Sequence, residues 1–298
     1  MTDGYPLQMD TLITRVLRQH LGDATELVQL KQVSGGCINK TFVATVKGGK
    51  QWFIKLNSAE LLDMFIAEAA GLQAIRATNT LCAPACLGYG IHEPVSYLIL
   101  EYLDLQGPCN PTQTGIQLAA MHRHTAPLYG WYRDNTIGST PQSNRQQTNW
   151  IRFWQQERLG FQLQLARQNG YSTKAYERGM TLLQQTAAFF AGYQPVPSLL
   201  HGDLWNGNLG YSLQGTPIIY DPAVYYGDRE VDLAMTELFG GFGVAFYASY
   251  HEVWPLDDGY HTRKTLYNLY HILNHFNLFG SGYERQAARM TEQLLAEL

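Results

Sequence analysis

Between two long helical stretches, residues 198–222 form a short β-like region with polar residues at fixed offsets. It reads Leu199-Leu200-His201-Gly202-Asp203-Leu204-Trp205-Asn206-Gly207-Asn208, then Ile218-Ile219-Tyr220-Asp221-Pro222. Asn208 follows Asp203 by five positions, and Asp221 closes an apolar strand. A carboxylate beside an acceptor hydroxyl orients it and takes its proton as a P–O bond forms. An amide oxygen and a second carboxylate suit Mg²⁺, a hard cation held against phosphates by oxygen ligands. Unrelated polar residues in turns would account for Asp203 or Asn208 singly. They fit poorly with both, Asp221 and the upstream features described below.

The surrounding chain divides by type of secondary structure. Leu12, Val16, Leu17 and Leu21 give helical spacing over 11–21, with Gly22 placed to stop the helix. Three β-rich runs follow, 25–33, 41–46 and 51–56, the last two joined through Gly48-Gly49. Asn57 stands three residues before Glu60, a capping-box variant predicting a helix to about Ala77. Strands are expected near 87–92 and 96–102, and helices at 113–124, 149–169, 173–191, 229–239, 260–278 and 282–297. The long polar stretch 126–148 reads as a functional or a disordered loop. The expected fold class is therefore α+β, with a small β-rich lobe at 1–103 and a larger helical lobe at 104–298. The formal charge of −4 argues against a dedicated nucleic-acid binder. No apolar run approaches the ~18 residues of a spanning helix, and no signal peptide is visible. Four cysteines are too sparse for a disulfide scaffold. Cys82 and Cys86 read as buried thiols, and a cytoplasmic location is expected.

Upstream lies Ser34-Gly35-Gly36-Cys37-Ile38-Asn39-Lys40-Thr41. A Walker A loop needs Gly before the Lys and a helix after it; here Asn39 precedes Lys40 and a strand follows. Glycines still let a backbone approach phosphate closely. Lys55 sits in the strand Trp52-Phe53-Ile54-Lys55-Leu56. On the next helix Glu68 falls within the apolar stripe of Leu61, Phe65, Leu72 and Ile75. An unpaired buried carboxylate costs several kcal/mol, so Glu68 is expected to pair with Lys55. A glycine loop, strand lysine, helix glutamate, Asp203, Asn208 and Asp221 in that order match the ATP-handling parts of protein kinases.

The chain resembles the fructosamine kinase (ketosamine-3-kinase) family, relatives of aminoglycoside and choline kinases on a two-lobe protein-kinase-like fold. The matching segments are Gly35-Gly36-Cys37-Ile38-Asn39, Asp134 to Gln142, His201 to Asn208, Arg229 to Met235 and Leu238-Phe239-Gly240-Gly241. Asp228 departs from the pattern, where His is expected before Arg-Glu. The resemblance implies ATP-dependent phosphorylation of the O3 hydroxyl of ketosamines, the adducts of amines or protein lysines with sugars. The phosphorylated adduct would break down and free the amine, a deglycation. Asp203 would be the base, with Asn208 and Asp221 as Mg²⁺ ligands. Lys55, positioned by Glu68, would contact the ATP phosphates. Backbone near Glu101, Tyr102 and Leu103 would meet adenine, and Gly35, Gly36, Cys37, Ile38 and Asn39 would cover the phosphates.

Protein kinases commonly carry Lys two residues after the catalytic Asp; here Trp205 stands there, either a wall for a small acceptor or a core residue. Asp232 is expected to accept backbone N–H groups of the catalytic loop. Asp134 and Asn135, in the polar loop 134–142, are candidate acceptor contacts, the alternative being an ordinary structural Ω-loop. Cys37 would lie near the phosphates, either as an unreactive small residue, the favoured reading, or as a thiol whose oxidation could switch the loop. His122, His124, His271 and His275 lack a zinc spacing and read as surface or packing residues. The expected partners are ATP and a ketosamine, with no nucleic acid or membrane. An aminoglycoside kinase is the enzymatic rival and would need an acid-rich pocket, for which Glu252, Asp257 and Asp258 are the candidates. A catalytically silent nucleotide-binding protein is the rival of another class.

Overall fold

The computed structural model describes residues 5–33 and 38–298. Helix α1 (Tyr5–Leu21) leads into β1 (Leu27–Val33), β2 (Lys40–Val46) and β3 (Gln51–Ser58), followed by α2 (Leu62–Ala77), β4 (Cys86–His92) and β5 (Val95–Glu101). The five strands form one antiparallel sheet in the order β1-β2-β3-β5-β4. Side chains alternate between the faces of a strand, and this decides what faces the catalytic cleft. Ile54, Leu56, Tyr97 and Ile99 are buried on the outer face with Ile13, Val16 and Leu17 of α1. Leu98 and Leu100 belong to the main core with Phe65, Leu72 and Ile75 of α2. Lys55, between Ile54 and Leu56, therefore projects to the α2 side. Fully burying each such aliphatic side chain stabilises by roughly 1.5–3 kcal/mol, so a one-residue slip of β3 is strongly resisted.

The remainder is mainly helical. Helix α3 (Pro111–His122) precedes the hairpin β6 (Asn135–Ile137) and β7 (Thr140–Gln142). Then α4 (Trp150–Phe153) continues through a π-helical turn (Trp154–Leu159) into α5 (Gly160–Gln168), and α6 (Thr173–Gln185) follows. Four short strands come next: β8 (Ser198–Leu200), β9 (Leu209–Tyr211), β10 (Pro217–Ile219) and β11 (Tyr225–Gly227). The chain ends with α7 (Glu230–Leu238), α8 (Val244–Val253), α9 (Tyr260–Phe279) and α10 (Glu284–Ala296). β8 pairs with β11, and β9 with β10, both antiparallel. Buried aromatic residues, among them Trp150, Phe153, Trp154, Tyr225 and Tyr267, fill the centre.

Several sequence expectations need correction. Asn57 does not cap α2: it is the penultimate residue of β3, and a 3-10 turn at Ala59–Leu61 intervenes. Its amide instead donates to Asn39 Oδ1 at 2.7 Å. Leu61 lies outside the buried stripe at 40% exposure, because it belongs to that turn. Helix α8 was not expected. Its sequence is rich in aromatic and β-branched residues and follows a Gly-rich run, so local preference does not announce a helix. Packing makes it one: a Cβ at Gly115 of α3 would lie 2.2 Å from Ser249 Oγ and 2.4 Å from Phe246 O. The polar stretch 126–148 contains the β6–β7 hairpin. Cys82 is exposed and Cys86 half-buried, not both buried. Gly35, Gly36 and Cys37 lie outside the described residues, and with them the expected phosphate-covering loop and the Cys37 switch.

Candidate active site

The site is built on hydrogen bonds that shape residues 201–208 and 220–223. His201 and Gly202 donate their backbone N–H groups to Asp232 Oδ2 and Oδ1 at 2.7 and 2.9 Å. His201 Nδ1 accepts from the Asp203 N–H at 3.2 Å, so Nε2 carries the proton and donates to Tyr220 O at 2.9 Å. The His201 carbonyl accepts from the Ala223 N–H at 2.8 Å. Gly202 has φ +83°, and a Cβ there would sit 2.1 Å from Ala223 O. Only glycine fits that crossing. Asp232 thus holds the loop backbone as expected.

Behind Asp232 stands a relay that sequence inspection missed. Arg229 Nη1 donates to Tyr250 OH at 3.2 Å, Tyr250 bonds His122 Nδ1 at 2.8 Å, and His122 Nε2 reaches Asp232 Oδ2 at 3.1 Å. Burial holds the His122 pKa down despite Asp232, so its ring is neutral. Neutral His122 has one N–H, which Asp232 takes. Asp232 keeps a lowered pKa because His122 and the loop N–H groups outweigh the cost of burial. His122 is therefore buried machinery under the loop. Its only advance signal is its place on the inner face of α3.

Asp203 emerges from this loop half-buried. Burial and then the nearby Asp221 push its pKa up to about 7, against the opposing pull of Asn208. Asn208 Nδ2 donates to Asp203 O at 2.8 Å and to Asp203 Oδ2 at 3.2 Å. That turns the amide oxygen away from Asp203. Asp221 follows β10 at φ +56°, in the left-handed region that non-glycine residues seldom occupy. From there its carboxylate meets Lys55 Nζ, joining sheet to helical portion. Lys55 is 4% exposed and its ammonium also bonds Glu68 Oε1 at 2.7 Å. Burial opposes the charge on Lys55, but Asp221 and Glu68 outweigh it and raise the pKa.

These groups line one cleft of about 1540 Å³. Ile38 and Asn39 border it from the sheet side, and Glu101, Tyr102 and Leu103 form the connection at its back. The Glu101 N–H is committed to Ala85 O at 2.8 Å. Trp205 also lines the cleft at 38% exposure, edge-on to Phe239 at 6.1 Å. It is a cleft wall, not core. His271 and His275 of α9 line the same cleft, which spacing had not indicated.

The two expected acceptor contacts, Asp134 and Asn135, are placed differently from each other. Asp134 is absent from the cleft wall; its Oδ1 accepts the Asn144 N–H at 2.7 Å and pins the base of the hairpin. Asn135 is 8% exposed, and its amide is spent on Val224 O, Gln142 and Asn144. Asp134 is structural, whereas Asn135 lines the cleft beside Thr136, Gly138 and Ser139 with its amide already engaged within the fold. Asp228 is likewise structural: buried, it accepts from Tyr193 OH at 2.9 Å, Tyr267 OH at 2.5 Å and Glu230 N–H at 3.0 Å. Glu252, Asp257 and Asp258 do not border the cleft, and Asp257 is paired with Arg263 at 2.7 Å.

The donor set fits a divalent cation. Asp221 and Asn208 offer hard oxygens but too few to complete a shell, as is usual for Mg²⁺ sites finished by phosphate and water. Among the described residues no cluster of three His, Cys, Asp or Glu forms an all-protein metal cage.

Comparison with known proteins agrees with this geometry. A probable ketoamine kinase of Synechocystis sp. is 45% identical over 95% of this chain and 96% of its own length. A chloroplastic protein-ribulosamine 3-kinase of Arabidopsis thaliana is 42% identical over 93% of this chain and 86% of its own. The crystal structure of a candidate fructosamine-3-kinase from Haemophilus somnus superposes with a TM-score of 0.86 at 29% identity, covering 95% of this chain and 96% of that one. The choline kinase LicA of Streptococcus pneumoniae shares the fold at a TM-score of 0.63 and 15% identity, covering 98% of this chain and all of that one. The fructosamine kinase family model matches residues 9–297, and the chain belongs to that family.

Proposed function

We propose that the chain transfers the γ-phosphoryl group of ATP to the O3 hydroxyl of ketosamines, sugar adducts of amines or protein lysines. The observation that carries this reading is the meeting of Lys55, Glu68 and Asp221 in the cleft that also holds Asp203 and Asn208. Asp203 accepts the O3 proton as the O3–P bond forms, while the bond from phosphorus to the β–γ bridging oxygen breaks and ADP leaves. A general base poised near 7 suits this work at neutral pH. Lys55, kept charged and held still by Glu68, neutralises the phosphates. Asn208 Oδ1 and Asp221 would hold Mg²⁺, which supplies positive charge beside the transferring group. Glu101, Tyr102 and Leu103 are the adenine-facing backbone, with the Glu101 N–H itself already engaged by Ala85 O.

Residues 1–103 act in this reading as the ATP-binding lobe and 104–298 as the catalytic and acceptor lobe. Breakdown of the phosphorylated adduct then frees the amine, making the activity a deglycation. Exposed free thiols at Cys82 and Cys109 suit a reducing cytoplasm. The acceptor side of the cleft, formed by Thr136, Gly138, Trp205, Phe239 and His275, is neutral apart from Asp203. That disfavours polycationic aminoglycosides. The test is ATP consumption with ribulosamines, fructosamines, choline and aminoglycosides. Turnover is expected with a ketosamine; turnover with choline or an antibiotic but no ketosamine would overturn the assignment.

A further inference from the structure

The floor of the cleft holds a polar group that the catalytic reading leaves unused. His271, on the inner face of α9, is 1% exposed, yet it borders the same cleft as Asp203, Met235 and Asn274. No donor or acceptor among the described residues reaches its Nε2. A buried polar atom without a partner costs roughly 1–3 kcal/mol, and most in native proteins are satisfied. An orphan at the edge of a ligand cavity is therefore explained by a partner that arrives with the ligand.

The surroundings restrict what that partner can be. Burial, reinforced by His275, lowers the His271 pKa to about 3, so the imidazole stays neutral. A neutral ring exchanges one hydrogen bond with a hydroxyl but gives a phosphate or carboxylate no counter-charge. Its neighbours are already committed. Asn274 accepts from Gln162 Nε2 at 3.2 Å and lies 3.4 Å from Ile137 O, next to the hairpin rim. Tyr270 OH donates to Gln142 Oε1 at 2.6 Å in the same hairpin. The His275 ring donates through Nδ1 to the carbonyl of His271 at 2.8 Å. The helix and hairpin are thus locked together around an imidazole that packs on Tyr270 and whose Nε2 makes no hydrogen bond among the described residues.

We propose that His271 is a specificity-determining residue that hydrogen-bonds a sugar hydroxyl of the acceptor other than O3. This rests on the ketosamine reading and adds to it how the sugar is oriented. With O3 directed at Asp203 and a second hydroxyl held by His271, the sugar is fixed at two points. An acceptor lacking that hydroxyl would leave the imidazole unpartnered in the complex, which is how a site rejects a deoxy analogue.

The test uses the full-length enzyme and its His271→Leu and His271→Gln variants with a ketosamine and its 4-, 5- and 6-deoxy analogues. With wild type, one deoxy analogue is expected to lose roughly ten- to hundredfold in kcat/KM, as one hydrogen bond in a buried site implies. His271→Leu should lose a similar factor with the parent ketosamine, mainly in KM, and no further factor with that analogue. KM for ATP should stay unchanged, and His271→Gln should recover part of the loss. Because Leu removes an orphan polar atom, that variant should melt at or above the wild-type temperature. A melting temperature well below wild type would show that Nε2 has a structural partner and would overturn the proposal. So would additive losses, or unchanged kcat/KM in His271→Leu. Failure of wild type to phosphorylate any ketosamine would instead remove the function on which the proposal rests.

Discussion

Lys55 Nζ and Asp221 Oδ1 are hydrogen-bonded although 166 positions separate them in the chain. Glu68 Oε1 takes another N–H of the same ammonium at 2.7 Å, so one cation stands between a helix of the sheet side and a strand end of the helical side. Burial raises the Glu68 pKa to about 7 against the pull of Lys55. The arrangement fixes a positive charge where phosphates would lie.

Replacing that charge separates folding from chemistry. In Lys55→Met, Glu68 is expected to take up a proton, since burial already favours its neutral form. The protein should stay folded, with a melting temperature lowered by a few degrees, while kcat/KM for ATP falls roughly 10²–10³-fold. Glu68→Gln should cost less, on the order of tenfold, because Asp221 still orients the lysine. Steady-state kinetics and thermal melting of both variants check this.

Asp203 predicts two opposite pH trends. Its folded pKa of about 7 lies above the ordinary carboxylate value of 3.8. A raised carboxylate contributes stability below its unfolded pKa and loses it as pH rises through the folded value. Asp203→Asn should therefore gain in melting temperature relative to wild type between pH 4 and 7, then hold that gain above pH 7. Transfer should behave the other way, with wild-type kcat/KM rising through neutral pH, shifted lower by bound Mg²⁺, and the Asn variant losing roughly 10²–10⁴-fold. Melting curves and rate profiles over the same pH series test both.

The catalytic loop was legible because its chemistry is local: Asp203, Asn208 and Asp221 lie within one short stretch and declare themselves by spacing. Lys55 and Glu68 were legible because a charge in an apolar strand and another in an apolar helix stripe each need a partner. Asp134 misled for a related reason. A polar side chain in a loop reads as ligand-facing, but here the Asn144 N–H consumes it, while Asn135 reaches the cleft wall with its amide spent on Val224 O, Gln142 and Asn144. His122 escaped because its partners come from α7 and α8, and His271 because it borders a cleft built from distant segments, relations that no sequence window contains. Helix α8 escaped because tertiary packing overrides its weak local preference.

Asp232 supports the loop without facing the cleft. Asp232→Ala leaves the His201 and Gly202 N–H groups and His122 Nε2 without their acceptor. At roughly 1–3 kcal/mol for each lost partner, the variant should unfold at a markedly lower urea concentration. Gly202→Ala should do likewise, since its methyl would meet Ala223 O. Both should lose ketosamine turnover.

Asp228 gives a contrasting expectation. It gathers two tyrosine hydroxyls and one backbone N–H, all away from the cleft. Asp228→Ala should cost about 3 kcal/mol of stability yet leave the kcat of folded enzyme within roughly twofold. Urea denaturation together with turnover at low temperature distinguishes this from a catalytic role.

The central claim is met most directly by ³¹P NMR of the product formed from ATP, Mg²⁺ and a ribulosamine or fructosamine, with wild type and Asp203→Asn run in parallel. The account predicts a phosphoester coupled to the proton on C3 with wild type, and almost none with the variant under conditions where it still binds ATP. A phosphoester at another carbon, or equal product from both enzymes, would contradict it.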